Sequence, residues 1–171
     1  MSILREYDTN ASVAYLNKDG TKTLYVFSSP IRYFNQRGGL SNIDTRIKNV
    51  SDESFKNQGY LYTIANSDIS PYYPTNITQG VLIEGSDTYR IRVDNKKSKS
   101  ARYTENQNFV GQKKHMISYD NAFGKNTCLS FYPSLSGTHA EILFYKKPVS
   151  NEIKMIITVG EYDINVEDSG Y

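Results

Sequence analysis

Short runs of β-type residues, separated by glycine, proline, aspartate and asparagine, restrict more than any other feature how this chain can fold. The pattern is most regular between residues 116 and 145. Because side chains alternate between the two faces of a strand, Leu129 and Phe131 share one face, which we expect to be buried. The turn residues between the runs favour reversals of the chain. The segment therefore predicts an antiparallel meander of three strands, at 116–119, 127–132 and 141–145.

Turns of the β-hairpin type recur along the rest of the chain. Asp19-Gly20 stands between two β-type runs and is the strongest short-range hairpin signal in the sequence. Glycine-containing turns at 36–39 and 85–87 predict two further hairpins. After the last of these, Tyr89, Ile91 and Val93 share one face of a strand while Arg90 and Arg92 share the other. That alternation predicts a sheet with one buried face and one solvated face.

Three segments interrupt the strand pattern. Residues 49–59 lack the apolar spacing of an amphipathic helix and are predicted to be a loop. Pro71 and Pro74 argue against a central strand at 70–74, since proline cannot donate to a ladder. Residues 95–112 form the longest irregular segment, and a loop of that length is usually mobile or functional.

The whole pattern predicts an all-β fold, an antiparallel β-sandwich of roughly ten short strands. With 171 residues, the chain is long enough to bury a substantial core, and we expect one domain over residues 1–171. Residues 1–12 are polar and are expected to be extended or frayed.

Composition excludes several classes of protein. No apolar run approaches the roughly 20 residues of a spanning helix, and no signal peptide follows Met1, so we expect no membrane insertion. A formal charge of +2 disfavours a dedicated nucleic-acid binder. The single Cys128 excludes an internal disulfide and a cysteine-based zinc site. Stability must therefore come from packing.

The sequence presents no assembled catalytic motif. Cys128 would need His115 or His139 as a base, and its place beside Leu129 in a strand favours an inert buried thiol. The acidic and amide residues near the C-terminus suit a solvated strand face better than a calcium site; they are Asp163, Asn165, Glu167 and Asp168. We expect no catalytic residue, metal or cofactor, and hence no enzyme.

Two groups of residues suggest binding. Tyr72 and Tyr73 lie between prolines and would form a stiffened aromatic tip able to stack on a sugar ring. The alternative is that both tyrosines fold back over the edge of the core. A basic cluster at the start of the irregular segment could meet teichoic-type polyanions, acidic glycans or nucleic acid, or could simply be solvated; it consists of Lys96, Lys97, Lys99 and Arg102.

Several blocks of the sequence resemble a recurrent pattern in bacterial surface proteins. The pattern belongs to a β-rich segment that precedes DNRLRE-type β-sandwich modules in large wall-associated and RHS/YD-repeat proteins. The blocks follow the expected order over most of the chain; they are SPIRY at 29–33, GLSNIDT at 39–45, YDNAFG at 119–124, LSFYP at 129–133 and GTHAEIL at 137–143.

The resemblance implies a noncatalytic structural or adhesive module of a large secreted or cell-surface bacterial protein. It also implies an extracellular or wall-associated location, with neighbouring domains of a longer chain, or cell-wall polysaccharide, as partners. One alternative is a carbohydrate-binding module that uses exposed tyrosines. A glycan-directed enzyme is the third hypothesis, since the fold could bring two carboxylates together.

Overall fold

The structure is a computed structural model that describes residues 2–4, 9–28, 30–35, 37–85, 87–107, 113–135, 137–148, 152–160 and 162–167. These residues form sixteen strands and one short helix, α1 (Glu53–Asn57). The strands are β1 (Ser2–Ile3), β2 (Ser12–Leu16), β3 (Lys22–Val26), β4 (Arg32–Phe34), β5 (Leu40–Asn42), β6 (Asp44–Asn49), β7 (Tyr60–Asn66), β8 (Ser70–Pro74), β9 (Val81–Glu84), β10 (Thr88–Arg92), β11 (Arg102–Gln107), β12 (Lys113–Asp120), β13 (Thr127–Ser134), β14 (Gly137–Phe144), β15 (Lys154–Val159) and β16 (Tyr162–Glu167). The all-β prediction is confirmed, with more strands than the roughly ten expected.

The N-terminal part of the chain forms two small sheets, β1-β2-β3 and β4-β5. The predicted hairpin at Asp19-Gly20 joins β2 to β3, and Gly20 has a φ of +83° that L side chains rarely adopt. The Asp19 carboxylate accepts hydrogen bonds from the backbone and hydroxyl of Thr21. β1 pairs with the end of β2, which is the extended alternative expected for the N-terminal residues.

A seven-stranded antiparallel sheet forms one layer of the sandwich, in the order β16-β15-β10-β9-β8-β7-β6. The predicted alternation on β10 is found for Ile91 and Val93 but not for Tyr89, which is 38% exposed. Ile91 packs against the core and Val93, just after the strand, is buried, whereas Arg90 is exposed on the other face. The two faces of this sheet therefore have different environments.

A four-stranded sheet, in the order β11-β12-β13-β14, forms the second layer. Apolar side chains from both layers make up the main core, where the rings of Tyr73 and Phe131 have centroids 6.0 Å apart. The Tyr119 hydroxyl donates a hydrogen bond of 2.9 Å to the carbonyl oxygen of Pro74 across the layers. Leu129 and Phe131 are fully buried, as the sequence predicts.

The prediction that prolines exclude a central strand at 70–74 is wrong. β8 lies between β7 and β9, but each proline has a paired neighbour on one side only: Pro71 is opposite Ile83 of β9, and Pro74 is opposite Tyr60 of β7. Each proline can therefore lack its N–H without breaking a ladder on both sides. A register shift in the β7–β8 pairing accompanies this arrangement.

The loop predicted at 49–59 contains α1. Asp52 caps this helix by accepting a 2.8 Å hydrogen bond from the Ser54 N–H, and Phe55 packs against a second apolar cluster formed by Val50, Tyr60 and Leu82. One aromatic contact and one cap suffice for a helix this short. The sequence therefore lacks the apolar periodicity from which a helix could have been predicted.

The irregular segment predicted at 95–112 is also shorter than expected, because residues from Arg102 onward form β11. This strand pairs with β12 along its whole length, from Arg102 opposite Ser118 to Gln107 opposite Lys113. Its polar sequence carries little apolar alternation, so its strand conformation depends on β12. Residues 108–112 of the predicted segment lie outside the described residues.

Candidate functional site

An exposed apolar surface lies at the N-terminal end of the chain. β3 pairs only with β2 and is therefore the edge of its sheet. Four consecutive residues in and after β3 have side chains between 41% and 74% exposed. We define the N-terminal apolar surface by these residues and by Phe34, which is 66% exposed on the neighbouring hairpin; the four are Leu24, Tyr25, Val26 and Phe27.

Both faces of β3 carry exposed side chains, as judged from the residues that the structure describes. Successive side chains of a strand point to opposite faces, so Leu24 and Val26 lie on one face and Tyr25 on the other. The Tyr25 ring contacts only the edge of Tyr15, with centroids 5.8 Å apart. A strand at the edge of a sheet that carries exposed apolar side chains favours association with another polypeptide.

An open groove of about 970 Å³ borders this surface. It lies between the N-terminal sheet, which contributes Val13 and Phe27, and the β4-β5 hairpin, which contributes Phe34 and Leu40. Leu135, in the turn between β13 and β14, also lines it and is 41% exposed. The groove therefore brings together apolar side chains that are far apart in the sequence.

Of the two arrangements considered for Tyr72 and Tyr73, the structure places Tyr73 against the core, where it is fully buried between the two sheets and does not form an exposed tip. Burial raises the pKa of its hydroxyl, which approaches Thr138 Oγ1 at 3.4 Å. Tyr72 lies on the opposite face of β8 and stacks on Phe55, with ring centroids 3.9 Å apart and planes 12° from parallel. The two rings share no face because consecutive strand residues point in opposite directions, so they cannot form one sugar-stacking platform.

All four members of the predicted basic cluster are exposed. Lys96, Lys97 and Lys99 lie in the connection before β11, whereas Arg102 lies on that strand and forms a 3.6 Å ion pair with Asp120. The Lys99 N–H donates to the carbonyl oxygen of Asp120. Because Asp120 already neutralises one member, the cluster presents less positive charge than the sequence indicates.

The residues considered for nucleophilic catalysis are not assembled into a pair. Cys128 is buried, and its Sγ lies 3.6 Å from Ser130 Oγ. His115 Nδ1 lies 2.8 Å from the Tyr103 hydroxyl. No hydrogen bond joins Cys128 to His115 or His139, all three of which belong to the described residues.

Within the described ranges, no group of three or more histidine, cysteine, aspartate or glutamate residues is placed to hold a metal ion. The structure does not describe the residues considered for calcium binding. These are the side chains of Asp163, Asn165 and Glu167 and the whole of Asp168. The calcium hypothesis therefore stays a prediction from sequence.

A second, polar cleft of about 520 Å³ was not predicted. It lies on the outer face of the seven-stranded sheet and is lined by Arg90 and Arg92 of β10, together with threonine and glutamine side chains. The sequence indicates that the two arginines share a solvated face. It does not reveal that the β8–β9 connection and the end of β15 enclose them.

No family model, curated protein or solved structure was found to match this chain. None of the helices in the described part of the chain is both long enough and apolar enough to cross a bilayer. Functional inference therefore depends on the two surfaces just described and on the sequence resemblance.

Proposed function

We propose that this chain is a noncatalytic structural or adhesive β-module of a large secreted or cell-surface bacterial protein, and that it docks against a neighbouring domain through the N-terminal apolar surface. The observation that carries the proposal is the uncovered edge strand β3, with apolar side chains exposed on both faces. The extracellular and bacterial context is supported by the sequence resemblance alone.

Docking at β3 would bring two sources of free energy. Covering the half-exposed Leu24 and the largely exposed Val26 would stabilise a complex by about 1 to 2 kcal/mol for each side chain. An added strand would also pair with β3 at the edge of its sheet, as in β-strand addition, where backbone hydrogen bonds supply affinity and alternate side chains supply specificity. The neighbouring groove offers further apolar area for the same partner.

A neighbouring domain of the same polypeptide is the partner that we propose. A domain tethered nearby binds at a high effective concentration, so an apolar surface of moderate size is sufficient. Such an arrangement would also keep the apolar edge covered, whereas an isolated copy would be prone to edge-to-edge aggregation.

Hydrogen–deuterium exchange tests this proposal. The β3 amides should exchange more slowly in the product of the complete natural gene than in residues 1–171 alone, because the neighbouring domain covers them. The double substitution Leu24→Lys with Val26→Lys should remove that protection, since it places charge on an apolar contact.

A matched control replaces Leu61 and Leu143 with lysine. These leucines are 40% and 48% exposed and lie outside the N-terminal apolar surface. This control should retain the protection of β3. Equal exchange of β3 in the short and complete chains would refute docking at this surface.

A further inference from the structure

The polar cleft on the seven-stranded sheet has the composition of a binding site for a charged, hydroxyl-rich ligand. Leu82 of β9, a member of the second apolar cluster, also lines the cleft and is 6% exposed. Thr88 of β10, Thr158 of β15 and Thr78 of the β8–β9 connection line it, and the Thr78 hydroxyl, which donates to Asn76 Oδ1 at 3.0 Å, can still accept a hydrogen bond. The volume of about 520 Å³ lies within the range of small-ligand pockets.

Among the side chains that the structure describes, none neutralises either guanidinium in the cleft. Within the described residues, no ion pair or hydrogen bond engages the side chain of Arg90 or Arg92. Glu84, on the same face of the sheet, is opposite Thr88 in the β9–β10 register and forms no ion pair with either arginine. Two positive charges on one strand face, two residues apart, are therefore available to an anion.

The backbone holds the stems of both arginines in place. Gly80 has a φ of +93°, and a Cβ added there would lie 2.6 Å from Arg90 Cγ and 3.1 Å from Arg92 Cβ. The aliphatic parts of both arginine side chains thus pass directly over Gly80, which immediately precedes β9. Any larger residue at this position would displace Arg90.

This arrangement suits an acidic sugar better than a nucleotide. The planar guanidinium binds a carboxylate or phosphate through two parallel hydrogen bonds, and threonine hydroxyls both donate to and accept from sugar hydroxyls. None of the described side chains that line the cleft is aromatic, whereas proteins commonly hold nucleobases against aromatic rings.

We propose that this cleft binds an acidic saccharide, with Arg90 and Arg92 holding its phosphate or carboxylate group and the threonines holding its hydroxyls. This site is separate from the N-terminal apolar surface and does not depend on docking there. It also differs from the sequence-derived sugar site at Tyr72 and Tyr73 and from the basic cluster at Lys96 and Lys97.

Titration by NMR chemical-shift changes in the complete 171-residue chain tests the proposal. The probes are glucose 6-phosphate, glucuronate, inorganic phosphate and glucose. We expect saturable binding of at least one of the two acidic sugars, tighter than that of inorganic phosphate or neutral glucose. Comparison of the two acidic sugars identifies which anionic group the site takes.

The double variant Arg90→Gln with Arg92→Gln should raise the Kd for the acidic sugar by about tenfold or more, since charge-assisted hydrogen bonds are lost. A matched control, Lys96→Gln with Lys97→Gln, removes two positive charges from side chains that do not line the cleft, and it should change the Kd by less than about twofold at moderate salt, where exposed charges are screened. The conservative pair Arg90→Lys with Arg92→Lys keeps the charge but loses the planar fork, and it should weaken binding to an intermediate degree.

The thermal unfolding midpoint of the Arg90→Lys with Arg92→Lys variant should match that of the wild type. Its weaker binding then cannot be attributed to unfolding. The proposal is wrong if neither acidic sugar binds saturably, if inorganic phosphate or glucose binds equally well, or if the arginine and control variants lose binding to the same extent. Unchanged affinity in the arginine variants would also overturn it.

Discussion

Gly80 shows how one residue combines a backbone requirement with a packing requirement. Its φ of +93° disfavours any L side chain, and an added Cβ would collide with the aliphatic parts of the Arg90 and Arg92 side chains. Gly20 has a similar φ of +83°, but a Cβ there would meet nothing within 4 Å. The two glycines therefore separate backbone strain from steric contact.

We predict that Gly80→Ala destabilises the protein more than Gly20→Ala does. Backbone strain should cost each variant about 1 to 2 kcal/mol. The contact with Arg90 should add about 1 to 3 kcal/mol at Gly80 alone. Urea unfolding monitored by circular dichroism measures both values, and equal losses of stability would show that Arg90 moves aside freely.

At the scale of single elements, α1 demonstrates how a local cap and one aromatic contact define a helix. Hydrogen bonds from the Ser54 side chain and backbone lower the pKa of the Asp52 carboxyl. A carboxyl whose pKa is lower in the folded than in the unfolded state stabilises the fold above the unfolded pKa, near 4. That contribution is lost as the pH falls through the lowered folded value.

We predict that Asp52→Ala lowers the thermal midpoint at pH 7 by a few degrees, roughly 2 to 4 °C, by removing the cap. Asp52→Asn keeps a capping oxygen but cannot titrate, so its midpoint should approach that of the wild type as the pH falls towards about 3. Scanning calorimetry from pH 7 to pH 3 checks both statements. A wild-type advantage over Asp52→Asn that grows on acidification would contradict the assigned role.

Elements with local signals were predictable from the sequence, and elements formed by tertiary pairing were not. Asp19-Gly20 specifies its hairpin by turn chemistry alone, and alternation assigns the faces of β10. In contrast, β8 can be a strand because each of its prolines is paired with a neighbouring strand on one side only. That pairing is known only once the register is known. The cleft around Arg90 is likewise nonlocal, since Thr158 reaches it from a distant part of the chain.

At the scale of the whole molecule, buried tyrosine hydroxyls connect the two layers of the sandwich. Tyr119 of the four-stranded sheet donates to Pro74 of the seven-stranded sheet at 2.9 Å, and Tyr73 of the latter approaches Thr138 of the former. Burial raises the pKa of both hydroxyls well above the ordinary value. These two polar contacts therefore help to fix the orientation of one layer relative to the other across the apolar core.

We predict that Tyr119→Phe lowers the free energy of unfolding by about 1 to 3 kcal/mol, because the buried Pro74 carbonyl loses its donor. Tyr89→Phe, at a ring that is 38% exposed, is the matched control and should change it by less than about 0.5 kcal/mol. Denaturant unfolding at pH 7 provides the comparison. Similar values for the two variants would mean that Pro74 finds another donor.

The same hydroxyls predict an alkaline limit. Because their pKa values are higher in the folded than in the unfolded state, their contribution to stability is complete below about pH 10, the unfolded value, and declines as the pH rises above it. Urea midpoints measured from pH 8 to pH 11 should fall in the wild type, and less steeply in Tyr119→Phe. An equal slope in the two proteins would exclude Tyr119 as a source of the decline.

The divided pairing of β8 has a mechanical consequence. Its first residues pair with β9 and its last residues with β7, so each of these two pairings is short. We therefore expect the sheet to resist a stretching force least at β8. When the chain is pulled from its two ends, we expect it to yield there first, releasing the strands that precede β8 while the remainder stays folded. Optical-tweezer traces should then contain a reproducible intermediate, and rupture in a single step would exclude such a weak point.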